Sequence, residues 1–155
     1  MIVVDTALLD RLSDEARRTP RLRKNLNFHP ADDYPCHRFL NAVEPGTYIR
    51  PHRHLDPAKD ESLAVLRGKV GIITFDERGM VTAAVLLEPG GAARVADIPH
   101  GEYHAAVSLE TGTVFLEAKG GPYLPLTDQE TAPWAPAEGE PAAAPYLAAL
   151  EELFR

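Results

Sequence analysis

His52 and His54 stand two positions apart, Glu61 follows after a loop, and His104 comes much later. On a strand, residues at i and i+2 project from one face, so His52 and His54 can chelate a single ion. Glu61 opens the next expected strand, where a reversal of the chain brings its carboxylate beside both imidazoles. His104 opens a further strand after the turn Pro99-His100-Gly101-Glu102-Tyr103. Three neutral imidazoles and one carboxylate suit one divalent metal ion: Zn, Fe, Mn, Ni or Co. An HxH pair alone recurs by chance on exposed strands. The joint pattern of His52, His54, Glu61 and His104 is what points to a metal.

One carboxylate leaves such an ion with residual positive charge. That charge attracts anionic or chelating oxygen ligands and polarises carbonyls. Isomerisation or epimerisation of a sugar derivative fits this chemistry, and Fe would add O₂ chemistry. A non-catalytic, metal-dependent carbohydrate-binding or sensory module would use the same pocket, so the enzyme reading stays open. Strand parity puts Tyr48 and Arg50 on the face of His52 and His54. Arg38 lies on a neighbouring expected strand. Glu117 and Lys119 sit among apolar neighbours on the last barrel strand, where charges need a partner or a polar cavity. Tyr48, Arg50, Arg38 and Glu117 are therefore the candidates for substrate binding or catalysis. His29 is expected near a pocket, His37 and His100 at surface or turn positions, and Cys36 in a buried structural role.

Two longer patterns surround these residues. Gly46, His52, His54, Glu61 and Gly68 follow the spacing of the first cupin motif, with a longer gap before the Glu. Gly91, Pro99, Gly101 and His104 follow the second, with Ser108 where Asn is usual. A closer resemblance spans nearly the whole chain. Its segments are Pro20-Arg-Leu-Arg, Asn25-Leu-Asn-Phe-His29, Gly46-Thr-Tyr-Ile-Arg-Pro-His-Arg-His54, Pro57-Ala-Lys-Asp-Glu61, Gly120-Gly-Pro-Tyr-Leu-Pro125 and Ala135-Pro-Ala-Glu-Gly139. These resemble the WbuC-type cupin fold metalloproteins. The resemblance implies a single cupin barrel with a metal site, and an association with bacterial surface-polysaccharide (O-antigen) gene clusters.

The elements that must position these residues are legible as patterns. Residues 5–18 read as an amphipathic helix capped by Asp5 or Thr6. Residues 21–29 alternate, with Leu22, Leu26 and Phe28 on one parity and Arg21, Arg23, Asn25, Asn27 and His29 on the other. That polar parity is either solvated or lines a pocket, since Arg and Asn bind anions and hydroxyls well. Short strands are expected at 36–43, 46–52, 61–67, 69–75, 81–88, 92–98, 103–108 and 113–119, with turns at Asp76–Gly79 and Glu110–Gly112. After Tyr123 the prolines imply an extended wrap anchored by Trp134, and 145–154 reads as a closing helix. The expected fold is all-β: a single cupin (double-stranded β-helix, or jelly-roll) barrel with short N- and C-terminal helices. Its parts are 1–30 (helix and strand), 31–123 (barrel) and 124–155 (wrap and helix), forming one domain.

Composition bounds the rest. A chain of 155 residues, 16.9 kDa, supports one core without disulfide or metal. The net charge of −7 disfavours nucleic-acid binding. It hides a basic cluster, Arg11, Arg17, Arg18, Arg21, Arg23 and Lys24, which is either a solvated face or a patch complementary to the acidic tail. The single Cys36 excludes an internal disulfide. No apolar run approaches a membrane span, and no export signal is visible, so a cytoplasmic location is expected. The expected ligand is a small molecule, anionic or carbohydrate. A homodimer is expected because the apolar 81–88 run needs cover.

Overall fold

The computed structural model describes all 155 residues. Helix α1 (Thr6–Arg18) starts where Asp5 accepts a hydrogen bond from the Leu8 amide at 2.9 Å. Arg17 and Arg18 in its last turn complement the helix dipole. Leu12 and Ala16 pack against Leu40, Ala42 and Val114 on the outside of a sheet. Eight strands follow: β1 (Arg23–Asn27), β2 (Cys36–Val43), β3 (Glu61–Arg67), β4 (Val70–Phe75), β5 (Val81–Leu87), β6 (Val95–Ile98), β7 (Tyr103–Ser108) and β8 (Thr113–Gly120).

The strands form two antiparallel sheets, ordered β1-β2-β8-β3-β6 and β5-β4-β7. Apolar residues from both sheets, among them Leu63, Val65, Val70, Ile72, Leu87, Ile98 and Phe115, make one core cluster. This is the jelly-roll barrel that the short strands and regular turns predict. The β4–β5 hairpin turns at Asp76–Gly79. Asp76 accepts from the amides of Arg78 and Met80, both at 2.8 Å, and Gly79 takes a φ of +83°.

One expected strand is absent. Residues 46–52 form no strand; only His52 makes bridges, to His104 and to Thr131. Pro51 has no N–H to give a neighbour. The Tyr48 and Arg50 carbonyls are taken by side chains, accepting from Arg23 (3.0 Å) and facing His52 Nδ1 (3.0 Å). The wrap instead secures this segment: Ala132 N–H donates to Pro51 O at 3.0 Å, and Arg53 N–H to Glu130 O at 2.8 Å.

Beyond the wrap, helix α2 (Ala143–Glu151) carries Pro145 in its first turn and ends in a 3₁₀ turn, Glu152–Phe154. Leu147 and Leu150 join Trp134, Phe75 and Tyr103 in a second apolar cluster. Arg21 and Arg23 both bond Glu138, at 2.7–2.8 Å, so part of the basic cluster does meet the acidic tail. Cys36 is exposed, contrary to its expected burial, because it sits at the first position of β2 on the outward parity. No helix is long and apolar enough to cross a membrane.

Candidate metal centre

The three imidazoles reach one point from three directions. The bridge between His52 and His104 is two-sided: each amide donates to the other's carbonyl, at 3.0 and 2.8 Å. His54 is fixed to the turn before β7, where the Gly101 amide donates to His54 O at 2.7 Å. Gly101 adopts a φ of +84°, a conformation for which glycine is suited. The result is that ligand atoms of His52, His54 and His104 all lie within 4.8 Å of one another.

Backbone carbonyls set the tautomers of two rings. His52 Nδ1 faces Arg50 O at 3.0 Å, and His104 Nδ1 faces Glu102 O at 2.9 Å. A carbonyl only accepts, so each Nδ1 carries the hydrogen and each Nε2 keeps a free lone pair. This is the arrangement in which metal-ligating histidines are usually held.

Glu61 faces the group from the start of β3, buried among it. Its carboxylate lies 3.1 Å from His54 Nε2 and 3.3 Å from His104 Nε2. Across the long loop the carboxylate thus meets His54 and His104, while the group of mutually close ligand atoms is the three histidines without Glu61. Lys119 on β8, opposite Glu61 in register, lies 3.4 Å away. Next on the same face, Glu117 accepts from Lys119 and from Asn41, both at 2.7 Å.

The electrostatics follow from this crowding. Burial, and then the neighbouring His104, push the His52 imidazolium down to about 3, so this ring is neutral. Burial works against charge on Glu61, yet contacts with His104 and His54 hold its carboxyl well below the usual range. His104 is likewise penalised by burial, but Glu61 raises it. The buried Glu61 carboxylate thus meets the Lys119 ammonium as well as two imidazoles, and a proton or a cation at the imidazoles would add to that positive charge. Burial and then the Glu61 charge raise Glu117. Burial opposes, but Glu117 and Glu61 raise, the Lys119 ammonium.

The residues fit a metal ion. His104 Nε2 is buried and has no hydrogen-bond partner, Glu61 being near but out of alignment. An orphaned nitrogen lone pair beside two imidazoles and a carboxylate is what a bound ion would satisfy.

Behind the histidines lies a cavity of about 90 Å³, lined by Asn41, His52, Glu61, His104 and Glu117 among apolar walls. A wider trough of about 410 Å³ adjoins it and shares Asn41, Ile49, Glu117 and Lys119. Arg23, Asn25, Asn27 and His29 line the trough, so the polar parity of 21–29 faces a cavity.

Other candidates lie elsewhere. Tyr48 is buried in the second apolar cluster, and its hydroxyl donates to Pro136 O at 2.8 Å. Arg50 donates to Ala132 O at 2.7 Å. Both hold the wrap, because 46–52 does not keep strand alternation. Arg38 is exposed, over the Tyr34 ring. His37, expected at the surface, is buried and stacked on His29 with centroids 3.9 Å apart. His100 is exposed and bonds Asp60. Asn41 escaped sequence reasoning; its signal was an Asn in an apolar strand, a residue type that strands disfavour.

Residues 4–87 match a family described as a domain of unknown function, DUF6016. No curated protein matches the chain. Among solved structures it is similar to KdgF from Halomonas sp., at 18% identity and a TM-score of 0.53, over 69% of this chain and 85% of that one. It is similar to the conserved SPY1581 protein of unknown function from Streptococcus pyogenes, at 15% identity and a TM-score of 0.53, over 79% and 90%. Oxalate decarboxylase from Bacillus subtilis also matches, at 17% identity and a TM-score of 0.49, over 70% and 26%. At the identities of the first two the likeness is one of fold alone.

Proposed function

Starting from a chain that belongs to the DUF6016 family, we propose a metal-binding cupin whose ion is held by His52, His54 and His104 with Glu61. One observation carries this reading: three imidazoles converge, and the buried His104 Nε2 has no other partner. A divalent ion held there supplies Lewis acidity toward an oxygen of a bound ligand.

The chain's own residues do the rest. Asn41 and Lys119 hold the Glu117 carboxylate between the inner cavity and the trough, where it can take or give a proton. The Asn25 and Asn27 amides face the trough, and amides suit hydroxyl groups. A sugar or sugar-nucleotide derivative in bacterial surface-polysaccharide metabolism is the substrate class, supported by this lining and by the WbuC-type segments. The second reading, a non-catalytic carbohydrate-binding or sensory module, would use the same trough.

Metal analysis and turnover test the reading. The purified protein is expected to carry one equivalent of a divalent metal, and His104→Ala to lose most of it. Full retention in that variant sinks the site assignment. A screen of nucleotide sugars and sugar phosphates separates enzyme from module. Turnover that disappears in His52→Ala supports catalysis, and tight binding without product supports the module.

A further inference from the structure

We propose that Lys59, with the cavity of about 180 Å³ that it lines, is a binding site for a compact oxyanion, a carboxylate or phosphate group carried by the ligand. Four charged side chains are buried: Glu44, Lys59, Glu61 and Glu117. Glu44 faces Arg17, and Glu61 and Glu117 face Lys119. Lys59 has no carboxylate in ion-pair range. Its Nζ donates to Pro122 O at 2.7 Å, and an ammonium has three N–H groups to give. A buried charge without a counter-charge is costly, and a ligand anion would supply one.

The loop fixes this lysine. Lys59 N–H donates to Asp56 O and Ala58 N–H to Asp56 Oδ1, both at 2.9 Å, closing a turn just before Glu61. The cavity it lines also receives His37, His52, His54, Lys119 and Tyr123, and no carboxylate lines it. The trough differs, because Asp32 and Glu117 offset its cations. Charge thus selects an anion at Lys59 and hydroxyls in the trough. The cavity falls below the ~300 Å³ at which whole small-molecule sites begin, so it takes one group of a ligand. It shares His37, Lys119 and Tyr123 with the trough, which leaves room for the ligand's body. This deepens the metal-centre reading, since His52 and His54 line the same cavity, but it needs no bound ion to be tested.

The test titrates sodium phosphate and, separately, sodium acetate into metal-stripped protein at constant ionic strength, followed by amide chemical shifts. Saturable binding of at least one is expected, and the tighter probe names the source. Lys59→Gln keeps a donor for Pro122 O and removes the charge. It should weaken binding about tenfold or more while leaving metal content and melting temperature unchanged. An unsaturable response in the wild type, or equal affinity in Lys59→Gln, overturns the proposal. If Lys59→Gln does not fold, the wild-type shift map decides. Shifts centred on residues 59 and 120–124 support the site, and shifts elsewhere refute it. A failed metal reading would show separately, as wild-type protein that carries no metal when purified and cannot be loaded with one, yet still binds the anion.

Discussion

His37 and His29 stack nearly parallel, 8° apart, on the side of the trough, and His37 Nε2 faces Asp32 O at 3.0 Å. Burial, and then the neighbouring His29, lower the His37 imidazolium from its ordinary value of 6.5. A base that is harder to protonate when folded binds fewer protons in the native state than in the unfolded one. Its contribution is therefore intact above pH 6.5 and lost as pH falls from there toward the lowered value. Denaturant midpoints measured from pH 7 down to 5 should fall more steeply for the wild type than for His37→Gln, which can still donate to Asp32 O. Parallel slopes would contradict this. At the centre His104 goes the other way, because Glu61 faces it and raises it against the penalty of burial.

At the scale of elements, the barrel depends on how strands are joined. Between β3 and β4, Gly68 takes a φ of +75°, and a Cβ there would lie 2.3 Å from Thr113 Oγ1. Thr113 is fully buried at the start of β8. Gly68→Ala should therefore destabilise by roughly 1–3 kcal/mol, read as a melting temperature lower by several degrees. An unchanged melting temperature would mean that the turn relaxes freely. Much of this level was legible in sequence. The alternation of 36–43 and 113–119, the Asp76–Gly79 turn and the Asp5 cap are local signals, and local chemistry sets them. The segment 46–52 reads as a strand in sequence but forms none, because its hydrogen-bond partners are side chains and the wrap rather than a neighbouring strand. Of these partners Arg23, Ala132 and Pro136 lie far away in sequence, and so Tyr48 and Arg50 face the wrap rather than the ion site.

For the molecule as a whole, one sheet edge bears on assembly. Strand β5 is at the edge of its sheet, and Val81 and Val85 are 42% and 43% exposed on it. An edge strand without charge is a ready surface for a second copy. Light scattering at micromolar concentration should give about twice 16.9 kDa, and Val85→Lys should shift it toward the monomer mass. A monomer in the wild type would refute the dimer expectation.

The sequence by itself determined which residues could meet. Two histidines at period two can share a direction where the backbone is extended, and turn and cap chemistry placed most of the strands near them. It also marked the polar parity of 21–29 as pocket or solvent, without choosing. Only the tertiary structure decided that choice, the partner of Glu117, the unpaired charge of Lys59 and the burial of His37. Asn41 and Glu117 are 76 positions apart and meet because β2 and β8 pair in one register. Spacing fixes a side chain's face only where the backbone keeps a strand's alternation, as in 36–43 and 113–119 but not in 46–52. What the face meets depends on long-range pairing and packing, which no local pattern encodes.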